Sequence, residues 1–508
     1  MPSASFGWFA HTPPAPARAS DAKPELADVG RLVRRGVRGL VGVARAGERE
    51  TLGDLLHAHL ATPVEELSVV EESRPAYDHV NIQAGLDAWL EGRSHRLVGI
   101  IGYQHRPFGL AELLEDVGGA HDPFGPRPGN VARVNLPSGP GGQVASCVRC
   151  GLYLVDDDAG PLAVLLRGAE PESGQERVSL QFTGPDAAAA AQAARAVQAL
   201  AVQHNVFRRQ VLSFGQDVFG YGGALLRFHE RPELSAEQVI LPEAAAESIQ
   251  RQVVEVARHK DQLLAAGQHL KRGLLLYGPP GVGKTHTVRY LVASLTDTTV
   301  IQLSGDALQL IGQACSVART LQPAMVVVED VDLIAEDRDL HAGAHPLLFE
   351  LLSEMDGLAE DADVVFVLTT NRADVLEPAL AARPGRVDQA VELPLPGADA
   401  RRRLFALYRG SLVLDESNLD DVIERTEGVT ASFIKELLRR AALFAAAHAP
   451  DGQALEVSAA HLDAALDELL DTRNAMTRAL LGSAAEQRPS LGGEDVGPDV
   501  TDEDAPFP

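Results

Sequence analysis

Apolar residues recur at helical spacing between Val29 and Ala61, where Leu32, Val33, Val37, Leu40, Val41 and Val43 interleave with Arg31, Arg34, Arg35 and Arg38. The spacing predicts a basic amphipathic helix. Its arginines either form a solvated face paired with acidic neighbours or meet a membrane or an acidic partner. Helical stretches continue from Val80 to Val117, broken by Gly and by Arg106-Pro107-Phe108-Gly109, so residues 29–120 read as a helical region. Glycine and proline then cluster between Pro123 and Gly142, and the periodicity changes. Val148–Val155, Leu162–Leu166 and Val178–Phe182 read as short strands, and Ala187–Val202 as an alanine-rich helix. Gln210–Phe214 and Leu225–Phe228 look like further strands, which makes residues 121–232 an expected α+β module.

From residue 233 short buried strands alternate with helical stretches. The strands are Gly273–Tyr277, Val300–Leu303, Met325–Val328 and Val364–Leu368, and a helix is expected over Val288–Leu295. That alternation is the signature of an α/β fold, a parallel sheet with helices on both faces, over residues 233–396. After Pro394-Leu395-Pro396 the pattern is wholly helical: Arg401–Tyr408, Leu419–Glu424, Ser432–His448 and Ser458–Leu470 predict a small helical subdomain over 397–481. The two ends differ from all of this. Residues 1–28 are rich in Pro, Ala and Ser, and residues 482–508 hold seven acidic residues against one basic, so both are expected to be disordered.

Composition adds exclusions. The 508 residues are 45% hydrophobic and 23% charged, enough for a large core and two to four domains. A formal net charge of -26 argues against a general grip on nucleic acid and against docking on anionic lipid. No run approaches the roughly 18 apolar residues of a membrane helix, so no membrane span is expected. Met1 to Ser20 lacks a basic region followed by an apolar core, and three cysteines suit a reducing cytoplasm. Cys147-Val148-Arg149-Cys150 stands without a second Cys or His pair; it reads as half a zinc site, a redox pair or ordinary buried thiols in a strand.

The chemistry is concentrated in Gly278-Pro279-Pro280-Gly281-Val282-Gly283-Lys284-Thr285. This stretch fits the phosphate-wrapping pattern G-x-x-x-x-G-K-[ST], with a strand before it and a helix after it. Gly278, Gly281 and Gly283 let successive backbone N–H groups turn toward anionic oxygens. The helix starting near Lys284 adds its positive end, Lys284 reaches the β and γ phosphates, and the Thr285 hydroxyl is placed for Mg2+. The strand at Met325–Val328 ends in Glu329-Asp330, about 45 residues on. One carboxylate there serves the metal and one polarises the attacking water. The next strand ends in Thr369-Thr370-Asn371, whose tip can hydrogen-bond the γ-phosphate or the water. Arg372, Arg383 and Arg386 are either surface ion-pair residues or groups that reach a neighbouring subunit's nucleotide.

In this order and spacing the sequence resembles the AAA ATPases. The residues that carry the resemblance are Leu276 to Thr285, Glu-Asp-x-Asp at 329–332, Met355-Asp356-Gly357-Leu358, Thr-Thr-Asn at 369–371 and Arg-Pro-Gly-Arg-Val-Asp at 383–388. They cover residues 235 to 475, about half the chain. The resemblance implies ATP and Mg2+ as ligands, Asn371 as the first sensor, and Arg383 and Arg386 as arginine fingers across a subunit boundary. It also implies that His286 follows the phosphate loop into the site, that Gly428-Val429-Thr430-Ala431 approaches the adenine and ribose, and that Ile240 contacts the adenine. Three departures stand out. The carboxylates run Glu329 then Asp330, where most members have Asp then Glu; the pore-loop triplet reads Leu310-Ile311-Gly312, without an aromatic; and Gly312 to Pro323 is several residues short. The expected protein is a Mg2+-dependent ATPase of the cytoplasm that works as a ring, a hexamer by resemblance, and remodels a protein partner chosen by its N-terminal region. A nucleotide-gated scaffold with little turnover is the alternative.

Overall fold

The computed structural model describes residues 51–103, 108–115, 125–170, 175–216, 224–332, 346–372, 387–447 and 454–470. The arginine-rich stretch at 29–45, Arg383, Arg386 and both expected disordered ends lie outside the described residues.

The first unit is built on seven strands: β1 (Val70–Pro75), β2 (Ser94–Ile101), β3 (Arg127–Gly129), β4 (Ala132–Pro137), β5 (Val144–Asp157), β6 (Gly160–Arg167) and β7 (Arg177–Thr183). Their order is β1-β7-β6-β5-β2-β3, with β4 also on β5, and each pairing is antiparallel. The helices α1 (Leu52–Leu60) and α3 (Leu110–Glu115) cover one face, where Leu56 and Leu110 meet Leu152, Leu154 and Leu165. The helices α2 (His79–Leu90) and α4 (Ala187–Gln203) cover the other, where Leu86, Trp89 and Val197 meet Tyr153, Val155 and Phe182. With both faces covered, β5 and β6 read as continuous apolar runs rather than alternating ones.

This corrects the helical reading of residues 29–120, because β1 and β2 lie inside that span. The physical reason is local. β1 is Val-Glu-Glu-Ser-Arg-Pro at the sheet's edge, none of it fully buried, so it carries little apolar signal. Within β2 only Val98 to Ile100 is buried, too short a run to register as a strand.

The second unit contains β8 (Val211–Gln216), β9 (Ala224–His229), β10 (Arg272–Tyr277), β11 (Thr299–Leu303), β12 (Ala324–Val328), β13 (Val364–Thr370) and β14 (Gln389–Glu392). They form one sheet in the order β14-β10-β13-β12-β11-β8-β9, parallel except for β9. Helices α5 (Glu243–Ile249) and α6 (Lys260–Ala265) lead into it. On one face α7 (Lys284–Ser294) brings Val288, Leu291 and Val292 onto Leu274, Val327 and Val367. On the other, α8 (Ile311–Thr320) and α9 (Pro346–Asp356) bring Ile311, Ala314 and Leu352 onto Leu275, Val326 and Phe366. The alternation along each strand sorts the two sets.

The boundary expected at residue 232 is therefore misplaced. β8 and β9, assigned to the N-terminal module by sequence, belong to the parallel sheet. Periodicity identifies a strand but not its partner; β11, buried through Val300 and Ile301, needs a neighbour, and β8 supplies it. The units also share a core: Val80 and Cys147 of the first cluster with Phe207 and Leu212. Tyr77 packs edge-on to Phe214 with ring centroids 5.8 Å apart, and Phe207 lies 5.7 Å from Phe228.

Helices α10 (Ala398–Tyr408), α11 (Leu419–Arg425), α12 (Ala431–Ala446) and α13 (Ala459–Leu470) form the helical subdomain around Phe405, Phe433 and Leu466. Two short strands, β15 (Val413–Leu414) and β16 (Glu456–Val457), pair in parallel beside them. Among the described residues no helix is long and apolar enough to cross a membrane.

Candidate functional site

The buried strand β10 delivers the chain to Gly278, whose φ is +145°. A Cβ at Gly278 would sit 2.2 Å from the Leu393 carbonyl oxygen, so glycine lets the loop pass the end of β14. Gly283, at φ +110°, precedes the first residue of α7 and faces open space within 4 Å. From that start Lys284 reaches back across the loop. Its Nζ donates to the carbonyls of Gly278 at 2.7 Å and Pro279 at 2.9 Å, and to Asn371 Oδ1 at 2.7 Å. Burial pushes the ammonium's pKa down, and Asp330 and Asp332 oppose that shift.

Strands β12 and β13 are adjacent, so their tips bring Glu329, Asp330 and Asn371 beside the loop. The two carboxylates diverge. Asp330 adopts φ +53°, an unusual conformation for a residue with a side chain, and its N–H donates to Thr369 Oγ1 at 3.1 Å. Its carboxylate accepts from Asn371 Nδ2 at 3.4 Å. Together with Lys284, Thr285, Asn371 and Ser432 it lines a cavity of about 530 Å3. Glu329 instead faces a second cavity of about 510 Å3, shared with Thr285, Arg289 and His229. Burial and the Asp330 charge raise the Glu329 pKa, and a hydrogen bond with Thr285 pulls it back. One carboxylate thus stands with the Thr285 hydroxyl and the other with Asn371 and Lys284.

The helical subdomain closes the loop from above. Thr430 caps α12 by accepting from the Phe433 N–H, and the Ser432 N–H donates to the Gly281 carbonyl at 3.2 Å. Ala431 lines the phosphate cavity and also a neighbouring cavity of about 320 Å3. Ile240 lines only the second of these, with Val282, Leu393 and Leu404. His286 lines the phosphate cavity, and its Nε2 pairs with the Gln238 carbonyl at 2.9 Å, tying α7 to the segment that precedes Ile240.

The sequence reading gave Asp332 no task. Its buried carboxylate accepts from Thr370 Oγ1 at 2.9 Å and from the Asn371 N–H at 3.3 Å, so it braces the tip that carries Asn371. Its place two residues beyond Asp330 was the available signal. Lys435 and Tyr408, also on the phosphate cavity, carried none.

One expectation changes, and the three readings of the cysteines narrow to ordinary buried thiols. Leu310-Ile311-Gly312 is not a presented loop: Ile311 is fully buried at the start of α8, and Leu310 packs on the same core. The cysteine pair does not converge either. Cys147 packs with Val80 and Phe207, whereas Cys150 packs with Phe108 and Leu152. Both thiols are free and buried, and burial pushes them up to about 11 and about 12.

Residues 274–395 match the family described as ATPase family associated with various cellular activities (AAA). Over these residues the chain carries an AAA domain. The match covers β10 through β14, including the phosphate loop, both carboxylates and Asn371. Over 251 residues the chain is 31% identical to a proteasome-activating nucleotidase of Archaeoglobus fulgidus, covering 46% of this chain and 62% of the relative. It is 29% identical over 239 residues to a 26S proteasome regulatory subunit 6A of Encephalitozoon cuniculi, covering 44% of this chain and 59% of the relative. A 26S proteasome regulatory subunit 6B homolog of Dictyostelium discoideum is 33% identical over 210 residues, 38% of this chain and 52% of the relative. The similarity thus spans between half and two thirds of each relative.

Proposed function

We propose that this AAA protein binds ATP with Mg2+, hydrolyses it, and works in a ring of like subunits, a hexamer. Turnover would remodel a protein partner taken up through the N-terminal unit, in a reducing, cytoplasmic setting. The observation that carries this reading is Lys284, held between the loop carbonyls and Asn371 beside two divergent carboxylates. A triphosphate offers Lys284 Nζ anionic oxygens in place of the carbonyls it now contacts, and the open side of Gly283 leaves room for them. The donor set suits magnesium: the Thr285 hydroxyl and the Glu329 and Asp330 carboxylates are all oxygen. When bound, the ion would neutralise charge on the phosphates.

The remaining work falls to the chain's own groups. Asp330 orients the attacking water with Asn371, Glu329 stands on the metal side with Thr285, and Lys284 holds the transferred phosphoryl group. Gly278 to Thr285 and His286 wrap the phosphates. Ala431 and Ile240 form the apolar walls for the adenine, the Ile240 cavity being mostly aliphatic. Arg383 and Arg386 complete a neighbour's site.

Steady-state phosphate release across a protein concentration series tests this, with Lys284→Ala as control. Specific activity should rise with concentration, and the control should be inactive. A second reading, a nucleotide-gated scaffold with little turnover, draws support from the buried Ile311 and from Asp330, one methylene shorter than Glu. ATP binding with release no faster than in Lys284→Ala would favour it.

A further inference from the structure

The chain leaving β9 reaches the phosphate-loop helix through Arg231. Arg231, two residues past β9, donates to four carbonyls. Its Nη1 binds the carbonyls of Val292 at 2.5 Å and Leu295 at 3.0 Å, and its Nη2 those of Thr298 at 2.9 Å and Arg209 at 3.0 Å. Val292 and Leu295 belong to the C-terminal end of α7, the helix that begins at Lys284. The last carbonyls of a helix lack partners within it and carry its negative end, so a cation there satisfies both the hydrogen bonds and the dipole. The guanidinium's fork spans all four oxygens, which a lysine could not do.

The fourth carbonyl points to the other unit. Arg209 has φ +62° in the turn that enters β8, and its N–H donates to Thr299 Oγ1 at 2.9 Å. The same turn is gripped from the N-terminal unit: Asn81 Oδ1, buried on α2, accepts from the Val206 N–H at 2.9 Å, and Tyr77 packs on Phe207. One guanidinium therefore joins the exit of the N-terminal unit to the far end of the helix carrying Lys284 and Thr285. An α-helix of 11 residues is a rigid rod of roughly 16 Å, so its two ends move together.

We propose that Arg231 is a positioning residue for the nucleotide site, fixing α7 against the turn at 204–210 so that nucleotide occupancy and the seating of the N-terminal unit are coupled. This rests on the ATP-binding reading above. The test uses the full chain and Mg·ATP, with Arg231→Met and Arg231→Lys. KM and kcat are measured beside hydrogen exchange with and without nucleotide. In the wild type, Mg·ATP should slow exchange both at α7 and at residues 204–210. In Arg231→Met the KM should rise about fivefold, in line with a partly buried charge at a helix C-terminus, and protection at 204–210 should no longer respond to nucleotide. Arg231→Lys should recover part of the KM and little of the response. If Arg231→Met fails to fold, Arg231→Lys alone decides, since it keeps the charge and loses the fork. Variants that lower thermal stability yet keep the wild-type KM and response would overturn the role of Arg231. Absence of ATP binding by the wild type would instead overturn the nucleotide reading.

Discussion

Asp332 braces a residue to which the proposed reaction gives a task. Its buried carboxylate accepts from Thr370 Oγ1 and the Asn371 N–H, and Asn371 in turn touches both Lys284 and Asp330. Removing the carboxylate leaves a buried hydroxyl and an amide without that acceptor and frees the β13 tip. Asp332→Ala should lower kcat by about tenfold to a hundredfold, the cost of small displacements in a reacting constellation. ATP affinity should change by only a few-fold, because the loop glycines and Lys284 remain. Asp332→Asn, which keeps an acceptor oxygen, should fall in between. Steady-state kinetics with direct nucleotide titration separates the two parameters; equal losses in both would mean that Asp332 supports the fold and not the position of Asn371.

At the scale of elements, α12 joins the helical subdomain to the phosphate loop, and a carboxylate on its outer face ties down two arginines. Glu436 accepts from Arg439 and Arg440, which hold its pKa well below the ordinary glutamate value, at about 2. A carboxyl depressed in this way stabilises the folded state fully above its unfolded pKa and loses that contribution as pH falls from about 4.5 toward 2. Arg439 is 60% exposed, so solvent screening limits the contribution to about 1 kcal/mol. Glu436→Gln should cost that much near neutrality in a urea titration and flatten the acid limb; an unchanged acid limb would count against the assignment. Helices such as α12 were legible in the sequence because their apolar stripes repeat over several turns. So was the phosphate loop, whose glycines are demanded by positive φ and by the approach to Leu393. The edge strand β1 was not, since its residues face partners on one side and water on the other. The diverging directions of Glu329 and Asp330 depend on a backbone twist at Asp330 that spacing does not reveal.

Across the whole molecule, the two units are joined by a shared core rather than by a tether, and the second unit's sheet begins before residue 232. β8 pairs with β11 in parallel register, the Val300 N–H donates to the Gln210 carbonyl at 2.8 Å, and Arg231 ties the end of β9 to α7. A boundary at residue 232, where the strand pattern alone places it, therefore cuts through the second unit. A fragment of residues 233–470 would leave β11 as a bare edge, with Val300 and Ile301 stripped of a neighbour. Such an edge invites intermolecular pairing. A fragment of residues 204–470 keeps β8, β9 and Arg231, although Phe207 and Phe214 lose their contact with Tyr77. Soluble yield and Tm should fall in the order full chain, 204–470, 233–470. The last step should be on the order of 10 °C, since it removes two strands and four hydrogen bonds from Arg231. Mg·ATP should raise the Tm of the 204–470 fragment and have little effect on 233–470, where the far end of α7 is no longer held. Equal melting temperatures and equal responses to nucleotide in the two fragments would show that β8 and β9 are attached to the parallel sheet without supporting it.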